Sequence, residues 1–134
     1  TRLLVYLRDD KPGLPWPGHW DFPGGGREGD ESPEDTLRRE VDEEFGLAIP
    51  DAAIRWKRMF PAQHRPDAQV WFYVVALPER AETGIAFGEE GQEWRLVTWA
   101  EFAALPQVVP SFAPRLALWQ RETGGIRSLL GSFP

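Results

Sequence analysis

The sequence predicts one α+β domain, a mixed β-sheet flanked by helices. Three observations predict it. The chain has 134 residues, the length of a single domain. Short apolar, β-prone runs recur along it, over residues 2–8, 54–60, 70–77 and 94–99. Between and after them lie an amphipathic helical segment and a second helical segment, each with its own start and stop signals.

The elements follow in order. Arg2 to Arg8 (RLLVYLR) reads as a strand. Lys11 to Gly18 holds three prolines and two glycines and reads as a loop. His19 to Phe22 is a short extended stretch, stopped by Pro23 and by Gly24, Gly25 and Gly26. Ser32 to Phe45 is the clearest helix. Ser32 is a good N-cap, Pro33 suits the first helical position, Glu34 and Asp35 suit the positive end of the helix dipole, and Gly46 can end the helix in a left-handed conformation. Leu37, Val41 and Phe45 repeat every four residues as a core-facing stripe. Ile54 to Phe60 and Val70 to Leu77 read as strands, the second central because it is apolar throughout. Glu79 to Gly91 is loop-like and acidic, Trp94 to Trp99 is a strand, and Trp99 to Leu105 is a short helix. Ala113 to Glu122 is the last helix, opened by Pro114 and closed by Gly124 and Gly125.

Composition narrows function. The sequence is 42% hydrophobic and 27% charged, as in an ordinary globular protein. A net charge of -6 argues against a nucleic-acid polymer as partner, because phosphate backbones attract basic surfaces. A small polyphosphate remains open to an acidic protein whose bound cation inverts the local field. The chain has no cysteine, so disulfides, thiolate metal sites and a Cys nucleophile are excluded. No apolar run nears the ~20 residues that span a bilayer, and no signal-peptide pattern opens the chain. The expectation is a cytoplasmic protein without a membrane partner, a monomer or homodimer.

Chemistry gathers on the Ser32–Phe45 helix. Glu40, Glu43 and Glu44 stand at i, i+3 and i+4 and project from one side. Like charges so placed weaken an isolated helix, by a few tenths of a kcal/mol per pair on the order of magnitude known for helices. Three converging carboxylates suit a hard divalent cation. A solvated acidic face would carry the same residues, and these three alone do not separate the two readings.

The wider pattern does. Gly25, Glu31, Arg39, Glu40, Val41, Glu43, Glu44, Gly46 and Leu47 follow the spacing G, five residues, E, seven residues, R-E, apolar, any, E-E, any, G, apolar. This segment, residues 25–47, resembles the signature of the Nudix hydrolases at every position. The resemblance implies an α/β/α sandwich with a mixed sheet, and hydrolysis of a nucleoside diphosphate linked to a group X. It implies that Glu40, Glu43 and Glu44 bind one to three Mg²⁺ or Mn²⁺ ions, that the Gly24 carbonyl adds a ligand, and that Glu40 or Glu44 prepares the attacking water. Arg39 would orient a neighbouring carboxylate such as Glu31 or Glu43, since its planar fork grips carboxylates in two places. Gly25, Glu31 and Gly46 would shape the segment.

Outside it, Trp71-Phe72-Tyr73-Val74-Val75 and Glu90-Gly91-Gln92 followed by Glu93-Trp94 resemble the MutT branch, which acts on nucleoside triphosphates. There the Glu of the E-G-Q triplet faces the metal site as ligand or base, which points to Glu90. Arg8 matches an arginine that reaches phosphate, and Phe22 an aromatic that lies against the base. Trp20 and Trp16 could line a base pocket, and Phe112 could stack on a base. In place of the Pro-Pro-Ala-Asn of that branch this chain has Val109-Pro110-Ser111-Phe112, so the amide that reads a purine edge is missing and the sequence leaves open whether the base is an oxidised guanine. His19 and His64 are read as structural. The small nucleotide substrate is expected to be a triphosphate, giving monophosphate and pyrophosphate. The alternatives are hydrolysis of ADP-ribose or a nucleotide sugar, a non-catalytic nucleotide-binding module, and a calcium-binding structural domain.

Overall fold

A computed structural model describes residues 2–62 and 67–126 of the chain. His64 and the tail beyond Ile126 lie outside the described residues. The chain forms two compact units. One takes residues up to Ala48 together with Arg80–Val109, the other Ile49–Glu79 together with the chain from Pro110.

The first unit is built on a three-stranded sheet. β1 (Leu3–Leu7) is its middle strand, antiparallel to β2 (Trp20–Asp21) on one side and to β5 (Glu93–Val97) on the other. Side chains alternate across β1. Leu3 faces Val97 and Leu7 faces Trp20, so with Val5 they share one face, packed with Phe22, Phe102 and Leu105. Tyr6 points the other way and meets Phe45 edge-on at 5.9 Å. Val5 is 1% exposed and Tyr6 7%, so both faces are covered. α1 (Pro33–Phe45) brings Phe45 to one face, and α2 (Trp99–Ala104) brings Phe102 to the other. Helix, sheet and helix are therefore layered here as expected. The ladders are antiparallel, and an isolated parallel bridge between Trp20 and Val108 makes the pairing mixed.

α1 starts and stops where its sequence dictates. The Ser32 hydroxyl accepts from the Asp35 N–H at 3.1 Å, and the Asp35 carboxylate accepts from the Ser32 N–H at 3.2 Å, a reciprocal cap. Gly46 ends the helix at φ 65°, where a side chain would be strained, with its N–H on the Asp42 carbonyl. α2 opens with the same device, Thr98 paired with Glu101. That is why β5 stops at Val97 rather than running to Trp99.

The second unit holds β3 (Ile54–Pro61), β4 (Gln69–Val75) and α3 (Phe112–Thr123), after a 3₁₀ turn at Asp51–Ala53. β3 and β4 pair antiparallel, with a bulge between Ile54 and Trp56. Phe72 collects Trp56, Phe60 and Phe112 at 6.1–6.4 Å, and the Arg115 guanidinium lies over Phe60. Arg115 is 9% exposed, and burial lowers its pKa. The expectation of a central β4 is corrected. Among the described residues β4 pairs only with β3. Its apolar run is not buried throughout: Phe72 is its one buried residue, and Trp71 beside it is exposed. Trp71 is 38% exposed, with the Lys57 ammonium 4.8 Å from its ring centre. Residues 81–84, read as loop, form a 3₁₀ turn. No helix of the described residues is long and apolar enough to cross a membrane.

Candidate active site

The site is carried by α1 and the two loops beside it. Glu43 and Glu44 are adjacent residues and so point about 100° apart around the helix. Their surroundings differ accordingly. The Glu43 side chain is 58% exposed, that of Glu40 is 15% exposed, and Glu44 is 7% exposed overall. The expectation of three carboxylates converging on one point is corrected by this divergence. Among the described residues no three His, Cys, Asp or Glu side chains are gathered as a ready metal cage.

Glu44 is the unusual member. Its Oε1 accepts from the Gly24 N–H at 3.3 Å, while its Oε2 is buried with no hydrogen-bond partner. Burial pushes the carboxyl up to about 8. The neighbouring Glu40 carboxyl and the charge of Asp21 add to that, against the Gly24 N–H. Gly24 thus orients Glu44 through its N–H, a contact separate from the metal-ligand role expected of its carbonyl. Gly25 supplies room. A Cβ there would stand 2.4–2.6 Å from the Glu40 carboxylate atoms. Gly25→Ala should therefore push the Glu40 carboxylate away from Arg39 and lower stability. Denaturant unfolding checks this, and an unchanged midpoint contradicts the placement.

Arg39 gathers the remaining carboxylates. Its Nε and Nη2 donate to the two Glu31 oxygens at 2.8 and 3.0 Å, the two-pronged grip. Nη2 also donates to the Gly26 carbonyl at 2.8 Å, and Nη1 to Glu40 at 2.9 Å and Glu43 at 3.3 Å. Glu31 accepts further from the Glu28 N–H and the Thr36 hydroxyl. Chiefly through the Arg39 hydrogen bond, its carboxyl is held down at about 2. The expected pairing with Glu31 or Glu43 is present, and Glu40 is the partner the reading missed.

The substrate-facing residues fare differently. Arg8, expected to reach phosphate, donates from Nη1 to Asp21 at 2.8 Å and from Nε to the Pro15 carbonyl at 2.9 Å. The Tyr6 hydroxyl donates to the same Asp21 oxygen at 3.2 Å. Burial raises the Asp21 carboxyl against the pull of Arg8, and it also raises the Tyr6 hydroxyl. Asp21 escaped the sequence reading. Its signal was an acid inside an apolar extended stretch, directly ahead of Phe-Pro-Gly. Phe22 stacks on Phe102 at 5.4 Å, and Trp20 is 5% exposed under the Arg95 guanidinium. Trp20 is buried in the core of this unit, and Phe22 packs half-buried against it. Phe112 is 9% exposed and packs on Phe72 in the second unit, so its ring too serves a core. Trp16 keeps partial exposure, with φ 50° and its ring 5.4 Å from that of His19. Glu90 is exposed on the loop before β5.

The donor set fits a hard divalent cation. A buried carboxyl without a partner on one oxygen, next to a second carboxylate, is stabilised by a proton or by a hard divalent cation in its place.

The family model for the NUDIX domain matches residues 2–120, running through both units. An RNA pyrophosphohydrolase of Alkalilimnicola ehrlichii is 32% identical over 114 residues, 72% of this chain and 61% of that protein. An 8-oxo-dGTP diphosphatase of Haemophilus influenzae is 32% identical over 103 residues, 75% of this chain and 68% of that protein. The chain spans only 61% and 46% of the length of two of the curated relatives it matches. In fold it is similar to the crystal structure of a MutT protein from Methanosarcina mazei Go1, with a TM-score of 0.64, 22% identity, and coverage of 89% of this chain and 83% of that one.

Proposed function

The chain belongs to the NUDIX domain family, and from that premise we propose that it hydrolyses a phosphoanhydride bond in a small nucleotide with the help of a divalent cation. The substrate class is a nucleoside diphosphate linked to X, foremost a nucleoside triphosphate split into monophosphate and pyrophosphate. The observation that carries the reading is the buried, unpartnered oxygen of Glu44 beside Glu40.

Glu44 and Glu40 would hold Mg²⁺ or Mn²⁺, with Glu43 at the solvent edge and the Gly24 carbonyl as a further ligand. The cation supplies neutralisation of the anionic phosphates and of the charge that develops on the leaving group. The chain's own residues do the rest. Gly24 N–H and Arg39 fix the two carboxylates in place. Glu90 takes the proton of the attacking water as its oxygen bonds to phosphorus and the anhydride P–O bond breaks. Tyr6 and Arg8 hold Asp21, the charged neighbour of Glu44.

The test is a panel of ribo- and deoxynucleoside triphosphates, ADP-ribose and nucleotide sugars with Mg²⁺ or Mn²⁺, assayed for released phosphate and pyrophosphate. At least one triphosphate should yield pyrophosphate, EDTA should stop the reaction, and added Mg²⁺ should restore it. No turnover on the whole panel, or turnover indifferent to EDTA, contradicts the reading.

A further inference from the structure

The segment from Ala86 to Gln92 is fastened at both ends to different elements of the first unit. At its start the Ala86 N–H donates to the Phe45 carbonyl and the Gly88 N–H to the Glu44 carbonyl, both at 2.9 Å. These are orphan carbonyls of the last turn of α1, which a helix cannot satisfy internally. The fit is close. A Cβ on Gly88 would stand 2.6 Å from the Glu43 carbonyl oxygen, which is backbone and cannot swing aside. At its end the Gly91 N–H donates to Asp9 at 3.3 Å, and the Gln92 N–H to the Leu7 carbonyl at 2.8 Å. The Gln92 side chain donates to the Arg8 carbonyl at 2.8 Å. Gly91 sits at φ 89° and its Cβ would crowd Phe87, Tyr6 and the Leu7 carbonyl. Only Glu89 and Glu90 lie between the fastened residues, and both are exposed.

The geometry points to this segment as a strap that sets Glu90 against the ligand helix, with Gly88 and Gln92 as its positioning residues. Glu90 is two residues beyond Gly88, so its Cα lies within about 7.6 Å of the Gly88 Cα, two trans-peptide steps. Gly88 is itself bonded to the residue that carries the buried carboxylate. A carboxylate on a free surface loop would sample many positions and lose the benefit of a preset geometry. The strap restricts Glu90 at both sides without touching it. The same contacts explain the glycine and the glutamine of the E-G-Q triplet: one accepts a left-handed backbone in a crowded place, the other ties the strap to the end of β1. The inference rests on the reading of Glu90 as the proton acceptor, and its test separates the two.

The experiment is a double-variant cycle, with the fastest-hydrolysed member of the eight ribo- and deoxynucleoside triphosphates as substrate and Mg²⁺ as cation. Gly88→Ala should lower kcat by ~10–100-fold, the scale set by a carboxylate displaced by about an ångström, with KM little changed. Gln92→Ala, which removes one tie and adds no strain, should lower kcat in the same sense and covers the case in which Gly88→Ala does not fold. Neither change should slow the enzyme further once Glu90→Gln is present, because the displaced group no longer reacts. Losses that multiply in the double variants overturn the strap, as does wild-type kcat in folded Gly88→Ala and Gln92→Ala. If Glu90→Gln alone turns over like wild type, the role of Glu90 fails and the strap's purpose with it. If no triphosphate is hydrolysed, the hydrolase reading fails first.

Discussion

Replacing Glu44 with glutamine is expected to make the metal-free protein more stable and to remove nearly all of its activity. In the fold the Glu44 carboxyl is raised from 4.5 to about 8, so the folded protein holds a proton there that the unfolded chain releases. The sign follows. This group's contribution to stability is fully present below pH 4.5 and is lost as pH rises through about 8. Glutamine keeps the shape and cannot ionise. In EDTA the variant should gain on wild type progressively between pH 5 and 8, by about 1–3 kcal/mol at the upper end, the cost of a buried polar group left unsatisfied. Mg²⁺ should reverse the order, because a cation stabilises the ionised carboxylate and glutamine offers it none. Turnover with Mg²⁺ should fall by ~100-fold or more, beyond what losing a group behind a ligand costs. Denaturation with and without EDTA at both pH values, beside initial rates, reads all of this. Equal stability curves and equal rates would show that Glu44 is an ordinary buried acid.

The second large effect is expected at Arg39. Its guanidinium joins Glu31, Glu40, Glu43 and the Gly26 carbonyl, so it ties the glycine loop to the ligand helix. Arg39→Ala should lower kcat by ~100-fold through loss of preset geometry. Arg39→Lys should not restore it, because an ammonium cannot grip Glu31 in two places and still reach Glu40. There is an acid signature as well. Glu31, held down at about 2 chiefly by Arg39, contributes stability above its unfolded value of 4.5 that is lost as pH falls through about 2. In Arg39→Ala this part of the acid dependence should vanish. Melting curves from pH 6 to pH 2 test it, and a parallel acid profile in wild type and variant contradicts the role.

What was legible in the sequence is what depends on near neighbours. Ser32, Pro33, Asp35 and Gly46 dictate the limits of α1 through contacts within a few residues, and α1 runs as expected. The Nudix-like spacing likewise placed Arg39 beside Glu31, eight residues away on one loop and helix. What escaped depends on which side of an element faces the interior. Glu40, Glu43 and Glu44 read as one acidic face, yet the packing of Phe45 on Tyr6 turns Glu44 inward and leaves Glu43 in solvent. Arg8 read as a phosphate contact, and its partner Asp21 went unseen because it lies 13 residues on and meets Arg8 through the β1–β2 pairing. Phe22 and Trp20 read as base contacts, and their packing on Phe102 and under Arg95 comes from residues more than 70 positions away. Gly88 gave no signal, since its constraint is a carbonyl 45 residues earlier in the chain.

The central claim is that the α1 carboxylates, Glu44 first among them, seat a divalent cation that the reaction needs. Calorimetric titration of wild type and Glu44→Gln with Mg²⁺ at pH 7, in two buffers of different ionisation enthalpy, tests it most directly. Wild type should bind Mg²⁺ and release protons as it does so, since the raised carboxyl must ionise to become a ligand. The variant should bind far more weakly and release none from this site. Equal affinity and equal proton release in the two proteins would contradict the claim.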